Sequence, residues 1–374
     1  MATAPQPDSR KAFHELLDLM KELDDVYLSE DWLVSSAEDV AEGTRALLHM
    51  LEGGLITYLE DDADHPVFRK IVDPARKYTG DNPYAIYHDA PVRSERSYRV
   101  RGNMAGACYM SLTIEADAQD GRMGSSTAGV INDTELEIGS DGSFEIIAGG
   151  PERTGNWLAL PASAARITVR HYFEEDRMTA ADPTKVVPLA IEMLDDVPPP
   201  ATYGDASVAA SIRRITNFMR TRTLDMKPPA ERIQPDFVSR TPNEFPPPVK
   251  PGNFALAAAD AAYSMAPYLL GPDEALVITG RWPECRCANV CLWNRHMQTF
   301  DYVNRPVALN RAQTTLESDG SFRMVIAHGD PGVPNWIDTE GRAFGLVFWR
   351  FMLPEGSIET PQAKVVKLDE VATS

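Results

Sequence analysis

Hydrophobic residues recur at helical spacing in the first part of the chain. Residues 9–23 carry an apolar side chain every three or four positions, which predicts an amphipathic helix with acidic residues on its outer face. A second helix is predicted to begin after Ser36, because Ser36 and Asp39 have the spacing of a capping box. A short helix is predicted over residues 67–77. We expect residues 1–78 to form a helical segment that serves as a cap or an oligomerisation element.

After this segment the apolar positions alternate with polar ones, which is the spacing of a half-buried strand. Clusters of Gly, Asp, Asn and Ser separate the alternating runs. Short strands with turn signals at this spacing predict an antiparallel sandwich or barrel, which we place at residues 79–195. The strand candidates are residues 97–101, 109–115, 134–138, 144–148 and 167–172.

The middle of the chain differs in kind. Residues 196–252 contain one predicted helix, at 206–219, and then a proline-rich run that ends in PPPVKPG. Proline lacks the amide proton that a strand ladder needs, so we expect a helical and proline-rich linker here. A further helix is predicted at 254–270, within a second β module at residues 253–374. The strand candidates of this module are residues 276–279, 290–293, 321–326 and 344–351.

The two β-rich parts share sequence features in the same order. Each contains SDGSF, then a β run, a turn with Gly and Pro, and an Asn–Trp pair, which is Asn335 and Trp336 in the second part. Each closes with a hydrophobic strand that reaches an arginine, Arg170 or Arg350. The shared order predicts an internal duplication. SDGS fits a tight turn between strands, whereas the Asn–Trp pair is compatible with a packing role and with a ligand platform.

A further run, DNPYAIYHDAPVRSERSYRVRG, lies at residues 81–102. Together with the SDGSF turns, the Asn–Trp pairs and the closing arginine strands, it resembles the bacterial family called domain of unknown function 1214. The resemblance covers about residues 80–190 and 270–368. It implies a β-sandwich of jelly-roll type, and it supplies no catalytic residue because the family has no settled activity. We therefore expect a mainly β protein with helical additions, in which duplicated jelly-roll-like β-sandwich modules follow N-terminal helices.

Charge is distributed unevenly along the 374 residues. The net charge of −19 disfavours nucleic acid and an anionic membrane surface as partners, because both are polyanions. Residues 1–65 hold 16 acidic against 4 basic residues, whereas residues 281–311 hold five arginines against two acids. This arginine-rich stretch predicts either a site for an anionic or carbonyl-bearing ligand, or ion pairs within a domain or subunit interface. No export signal or membrane-spanning run is recognised, so a cytoplasmic location is expected.

Three cysteines lie close together in the sequence, at Cys285, Cys287 and Cys291. Structural zinc sites usually have four ligands, and the second pair of ligands is missing, although His296 is a candidate for the fourth position. We expect reduced, buried thiols and no bound metal. The motifs for nucleotide binding, for the serine-hydrolase elbow and for zinc proteases are absent from the sequence, and no cofactor is expected.

Catalytic candidates follow the predicted strand that ends at Trp293. His296 paired with Asp301 or Asp330 offers a base and an orienting carboxylate, and the turn HGDPG adds His328 close to Asp330. Polar loop side chains also hold their own backbone, so a structural role is the alternative. The residues expected to bind a ligand are Asn289, Trp293, Asn294, Arg295, Tyr302, Arg311, Asn335 and Trp336.

The sequence leaves three hypotheses on function. The first is a metal-independent enzyme that acts on a small sugar-like or lipid-like molecule in a pocket of the second module, lined by His, Asp and Arg. The second is a non-catalytic protein that binds a small-molecule ligand in the same groove. The third is an interaction protein whose arginine-rich stretch docks the acidic helices of another subunit, which would make a homo-oligomer.

Overall fold

The computed structural model describes residues 6–252, 258 and 260–372, and three α-helices within these ranges form a helical cap. The first two agree with the predicted N-terminal helices, and Ser36 caps the second in a capping box with Asp39. The third agrees with the helix predicted inside the linker. The helices are α1 (Asp8–Glu22), α2 (Ala37–Tyr58) and α3 (Asp205–Thr221).

Helix α3 packs against both N-terminal helices. Leu16 of α1, Leu47 of α2 and Phe218 of α3 belong to one buried apolar cluster. Arg213 of α3 also forms an ion pair of 2.8 Å with Asp8 at the start of α1. Short helices are stabilised mainly by burying an apolar face, so the three helices stabilise one another. The helical part of residues 196–252 thus lies in the cap.

The first β module is a sandwich of two sheets. Its strands are β1 (Arg69–Lys70), β2 (Ala85–Pro91), β3 (Ser97–Asn103), β4 (Tyr109–Ala116), β5 (Thr127–Asn132), β6 (Ser143–Gly149), β7 (Trp157–Leu158), β8 (Ala164–Tyr172) and β9 (Leu189–Met193). One sheet has the order β1-β2-β8-β4-β5 and the other β7-β6-β3-β9. Alternate side chains such as Val100, Leu112 and Val169 fill the space between the sheets, as expected for strands with one face in a core.

The second β module repeats this arrangement. Its strands are β10 (Ala261–Leu269), β11 (Glu274–Gly280), β12 (Cys287–Trp293), β13 (Ala308–Asn310), β14 (Phe322–Ala327), β15 (Trp336–Asp338), β16 (Phe344–Met352) and β17 (Gln362–Lys367). The sheet orders are β10-β16-β12-β13 and β15-β14-β11-β17, which match β2-β8-β4-β5 and β7-β6-β3-β9 strand for strand. The protein is therefore mainly β, with duplicated jelly-roll-like sandwich modules and a helical addition, as predicted.

Three local predictions are wrong. Residues 261–269, inside the helix predicted at 254–270, form strand β10, while residues 253–257 and 259 of that prediction lie outside the described residues. Both faces of β10 are largely buried, and periodicity cannot distinguish such a continuous apolar run from a buried helix. The helix predicted at 67–77 is replaced by the short strand β1, and the strand predicted at 134–138 is a turn that follows β5.

The two modules contact each other through the sheets that contain β4 and β12. We call the region between these sheets the module seam. Half of its buried side chains are aromatic, and the cluster includes Tyr84, Tyr109, Tyr172, Tyr263, Cys291, Trp293 and Phe348. The hydroxyl of Tyr109 donates a hydrogen bond of 2.6 Å to Asp260, which connects the two modules. The seam therefore combines apolar packing with polar contacts.

The proline-rich end of the linker runs beside β10, which is the edge strand of its sheet. Val249 exchanges two backbone hydrogen bonds with Tyr263, of 3.0 and 2.9 Å, and the amide of Ser239 donates to the carbonyl of Met265. Covering an edge in this way protects its free amides and carbonyls from pairing with other chains. No helix in the described ranges is both long and apolar enough to cross a membrane.

Candidate functional site

Every arginine in the stretch 281–311 has a carboxylate partner inside the chain. The pairs are Arg281–Asp319, Arg286–Asp133, Arg295–Asp39, Arg305–Asp338 and Arg311–Glu174. The acids come from the helical cap, from the first module and from neighbouring loops. The positive charge that marks this stretch in the sequence is therefore balanced by ion pairs within the molecule.

Arg295 and Arg311, both predicted to bind a ligand, hold parts of the fold together. Arg295 lies 2.6 Å from Asp39 of α2. Arg311 donates two hydrogen bonds, of 2.8 and 2.7 Å, to Glu174 of the first module. Such a bidentate pair sets orientation as well as adding attraction. The acidic helix α2 thus docks onto an arginine of its own chain, and Arg311 connects the two modules.

His296 lies buried beneath the helical cap. Its Nδ1 is 3.1 Å from the hydroxyl of Tyr27, and its backbone amide donates to the side chain of Asn294. Burial, together with the nearby charge of Arg295, lowers the pKa of His296 to about 4. The imidazole is therefore neutral at physiological pH and packs as a core residue. Asn294, another predicted ligand contact, holds the turn that follows β12.

The predicted pairing of His296 with Asp301 or Asp330 is not assembled. Asp301 and Asp330 each accept a hydrogen bond from the backbone amide two residues ahead, at 3.1 and 2.8 Å. His328 lies 2.6 Å from the hydroxyl of Thr339. Among the residues that the structure describes, no hydrogen bond or ion pair joins His296 to either aspartate. Short loops commonly satisfy their own amides with Asp side chains, which explains this local pairing.

Trp293 and Tyr302, predicted to contact a ligand, are packing residues. The ring of Trp293 stacks on Phe348, with 4.3 Å between ring centroids, and its Nε1 donates to the carbonyl of Asp81. Tyr302 is buried, and the ammonium group of Lys77 lies 4.2 Å from the centroid of its ring. Each of the two rings therefore has a face in contact with a neighbouring side chain.

The Asn–Trp pair makes the same contacts in both modules. Asn335 donates to two backbone carbonyls, at 2.7 and 2.9 Å, and Asn156 does the same at 2.8 and 3.0 Å. Trp336 and Trp157 each donate from Nε1 to a backbone carbonyl, at 3.2 and 3.1 Å. A contact repeated in both copies indicates a structural clasp that closes the loop before β7 and β15. The structural alternative for Asn335 and Trp336 therefore accounts for their bonding.

The three cysteines of the second module are free thiols. Burial raises the pKa of Cys285 to about 11 and that of Cys291 to about 12. Thiols with such pKa values are protonated at neutral pH. Within the described ranges, no cluster of three or more His, Cys, Asp or Glu side chains has the geometry to hold a metal ion.

Arg350 differs from the five ion-paired arginines of the stretch 281–311. Arg350 lies near the end of β16, and only 4% of its surface is exposed. Its guanidinium lies over the rings of Phe348 and Tyr263, at 4.7 and 5.8 Å from their centroids. Its Nε and Nη1 are buried without a hydrogen-bond partner, and no carboxylate among the described residues forms an ion pair with it. Arg350 is thus a buried cation in the module seam.

The described groups that interact most strongly with Arg350 are neutral. Burial raises the pKa of Tyr87, Tyr172 and Tyr263, which face the guanidinium, so their phenols stay protonated. The Cys291 thiol beside it is protonated as well. An arginine side chain keeps its proton in proteins, so the seam carries an uncompensated positive charge at Arg350.

Asn289, a predicted ligand contact, lies directly beside Arg350. The two residues are cross-strand partners in β12 and β16, so their side chains are on the same face of the sheet. The Oδ1 of Asn289 is buried and has no hydrogen-bond partner in the described structure. Arg350 and Asn289 thus each place a buried polar atom without a hydrogen-bond partner on the same face of the sheet, among the described residues. Buried polar groups without partners are rare in folded proteins and mark sites of interest.

Sequence reasoning identified Asn289 but missed Arg350 as a site residue. The signal was available, because Arg350 is a charged residue within the apolar run FGLVFWRFM and was noted as a marker of the duplication. An arginine inside a buried strand needs a partner, whereas arginines in loops find acids on the surface.

Comparison with known proteins gives the architecture a precedent. No protein-family model and no curated protein matches the chain. The fold is similar to the crystal structure of an uncharacterized protein from Burkholderia cenocepacia, with a TM-score of 0.83 and 26% identity over 97% of this chain and 98% of that chain. A protein from Vibrio parahaemolyticus has a similar fold, with a TM-score of 0.51 and 11% identity over 87% of this chain and 98% of that chain. The arrangement of cap and two modules therefore recurs over nearly the whole length of the first of these proteins.

Proposed function

We propose that this protein binds a small organic anion in the module seam and that Arg350 is the residue that holds its charge. The observation that carries the proposal is the buried guanidinium, which has two nitrogen atoms without a partner and no ion-paired carboxylate among the residues that the structure describes. Burying a charge without a partner is costly, and an anion on Arg350 would offset that cost with charge-assisted hydrogen bonds.

The surroundings of Arg350 suit an organic ligand better than a bare ion. Tyr263 and Phe348 present ring faces to the guanidinium, and Tyr87 and Tyr172 have their rings 6.1 Å apart on the other module. Small-molecule sites combine mainly apolar and aromatic walls with a few convergent polar groups. The rings would contact the carbon skeleton of the ligand while Arg350 and Asn289 bind its polar groups.

Binding without catalysis is the function that the geometry favours. General acid–base catalysis needs a base within hydrogen-bond reach of the substrate and a pKa suited to the reaction. The phenols and the thiol beside Arg350 have pKa values raised by burial, and His296 lies under the helical cap with its Nδ1 near Tyr27. The hypothesis of a non-catalytic small-molecule-binding protein is therefore preferred to that of an enzyme.

The test compares full-length wild type with Arg350→Gln and with a control, Arg281→Gln. Arg281 is half-exposed and pairs with Asp319 at the surface, so the control removes an arginine far from the seam. Each protein is purified without added anions and screened by thermal shift against acetate, benzoate, inorganic phosphate and sulfate. We expect at least one anion to raise the melting temperature of wild type and Arg281→Gln, and not that of Arg350→Gln. If all three proteins respond alike, or none responds, the proposal is wrong.

We also propose that the chain is a member of the domain of unknown function 1214 family. Support for this comes from the SDGSF turns, in which Ser143 and Ser321 donate to Asp141 and Asp319 in the same way. The test is to solve the structure of a recognised member of that family. A member without the paired turns and clasps would contradict the proposal.

A further inference from the structure

We infer that the anion held by Arg350 is a carboxylate, which takes the place that Glu115 holds in the first module. This inference rests on the proposed function and specifies the class of ligand. It is drawn from the duplication itself, because the first module contains the same arginine with its partner already built into the chain.

The strand registers show which positions of the two modules correspond. Arg170 of β8 is paired with Tyr87 on one side and Ser111 on the other. Arg350 of β16 is paired with Tyr263 on one side and Asn289 on the other. The strand orders β2-β8-β4 and β10-β16-β12 match, so Arg170 and Arg350 are equivalent residues on equivalent faces of their sheets.

The first module shows how this scaffold accommodates a buried arginine. Arg170 donates a hydrogen bond of 2.6 Å to the hydroxyl of Thr113 and one of 3.2 Å to the carboxylate of Glu115. The side chains of Arg170 and Glu115 are each only 3% exposed. The guanidinium is thus neutralised by a carboxylate from the neighbouring strand, on the same face of the sheet.

The second module lacks both of these oxygen groups. Counting along β12 from Asn289, the residues equivalent to Thr113 and Glu115 are Cys291 and Trp293. A protonated thiol replaces the hydroxyl, and an indole replaces the carboxylate, with its Nε1 donating a hydrogen bond to the backbone carbonyl of Asp81. The arginine has been kept while its carboxylate has been lost, so the missing chemical group at Arg350 is a carboxylate.

Charge favours a carboxylate over a phosphate or sulfate. One guanidinium balances a single negative charge, and a second charge on the ligand would be buried without a partner. A carboxylate also matches the planar fork of arginine with two parallel hydrogen bonds. The unpaired Oδ1 of Asn289 adds an acceptor, which suits a hydroxyl or amide hydrogen elsewhere on the same ligand.

The first arm of the experiment builds the carboxylate into the protein. Asn289→Asp changes an amide to a carboxylate of the same size at the cross-strand partner of Arg350. We expect this variant to melt at a higher temperature than wild type and to lose response to benzoate. The matched control is Asn310→Asp on β13. The side-chain amide of Asn310 donates a hydrogen bond to the backbone carbonyl of Glu175. A carboxylate at position 310 loses this hydrogen bond, so we expect the control to melt at a lower temperature than wild type.

The second arm measures which anion the wild-type chain prefers. Benzoate, benzamide and inorganic phosphate are tested by equilibrium dialysis, which allows slow access to the covered seam. We expect benzoate to bind, and benzamide and phosphate to bind weakly or not at all. Arg350→Gln should weaken benzoate binding by roughly 30-fold or more, which is the loss typical of removing one partner of a buried charge pair.

The outcomes separate the inference from the proposed function. If phosphate binds through Arg350 and benzoate does not, the carboxylate inference is overturned while the proposed function stands. If none of the probes binds in an Arg350-dependent way, both are overturned. A melting temperature that falls in Asn289→Asp as it does in Asn310→Asp would show that a carboxylate has no place beside Arg350, and would overturn the inference alone.

Discussion

The two equivalent arginines of the seam should differ in how much stability they lose on the same substitution. We consider Arg170→Met and Arg350→Met in the protein without added ligand. Methionine is long, flexible and apolar, so it fills much of the volume that the arginine leaves. Because the two positions are equivalent in strand register, the comparison isolates the effect of the carboxylate partner.

The structure sets different magnitudes for the two substitutions. Arg170→Met leaves Glu115 buried without its cation, and breaking a buried pair from one side costs about 3–5 kcal/mol. Arg350→Met removes a guanidinium with two unpaired nitrogens, which relieves about 1–3 kcal/mol. It also loses the attraction to the ring of Phe348, which is worth about 0.5–2 kcal/mol. The second substitution should therefore change stability little, and the two should differ by about 3 kcal/mol or more.

Urea unfolding followed by circular dichroism measures both variants against wild type. We expect Arg170→Met to lower the midpoint clearly and Arg350→Met to leave it close to the wild-type value. The slopes of the transitions have to agree for the midpoints to report stability alone. If Arg350→Met loses as much stability as Arg170→Met, then Arg350 has a stabilising partner in the folded protein, and the reasoning from an unpaired guanidinium is refuted.

Two further predictions concern the helical cap and its contact with the second module. A Cβ atom added at Gly53 of α2 would lie 2.4 Å from the ring of Tyr78. Gly53→Ala should therefore lower the melting temperature, although alanine favours a helix over glycine by about 1 kcal/mol. The control is the neighbouring Gly54→Ala, whose Cβ would lie 3.1 Å from Phe218 and should have a smaller effect. Folding lowers the pKa of His296 from about 6.5 to about 4. Below pH 6.5 the unfolded chain therefore binds more protons than the folded chain. The contribution of His296 to stability is complete above pH 6.5 and is lost as the pH falls towards 4. Between pH 7.5 and pH 5, the free energy of unfolding should fall by about 2 kcal/mol less in His296→Gln than in wild type. Urea unfolding at the two pH values measures this fall, and equal falls in the two proteins would contradict the prediction.

The fold could be predicted from the sequence where local and tertiary signals agree. The capping box at Ser36, the alternating runs and the repeated SDGSF turns each report local backbone preferences that the folded chain keeps. The prediction of a helix was wrong at residues 261–269, because β10 is largely buried on both faces and Pro267 is tolerated on an edge strand. Burial on both faces is a property of the tertiary structure and leaves no period in the sequence.

The candidate site was harder to predict, because the sequence shows residue types but not their partners. Arg295 looked like a ligand-binding cation, and its partner Asp39 lies 256 positions away in the cap. Asp301 and Asp330 looked like orienting carboxylates, and each holds its own turn. Arg350 looked like a marker of the repeat, and its importance depends on which side chains fail to pair with it. Such an absence is visible only when all the neighbours of a side chain are known.

The duplication explains why only one of the two equivalent arginines lacks a carboxylate partner. Arg170 and Arg350 both interact electrostatically with the phenols of Tyr87, Tyr172 and Tyr263. Two like charges therefore lie in one buried region between the modules. Two cations in a medium of low polarity destabilise the contact unless each is neutralised. Glu115 neutralises the first within the fold and keeps that module stable without a ligand. The second cation, Arg350, can then be neutralised by a ligand. A bound carboxylate would complete the charge balance of the seam. Packing of the two modules would then be stabilised by ligand binding.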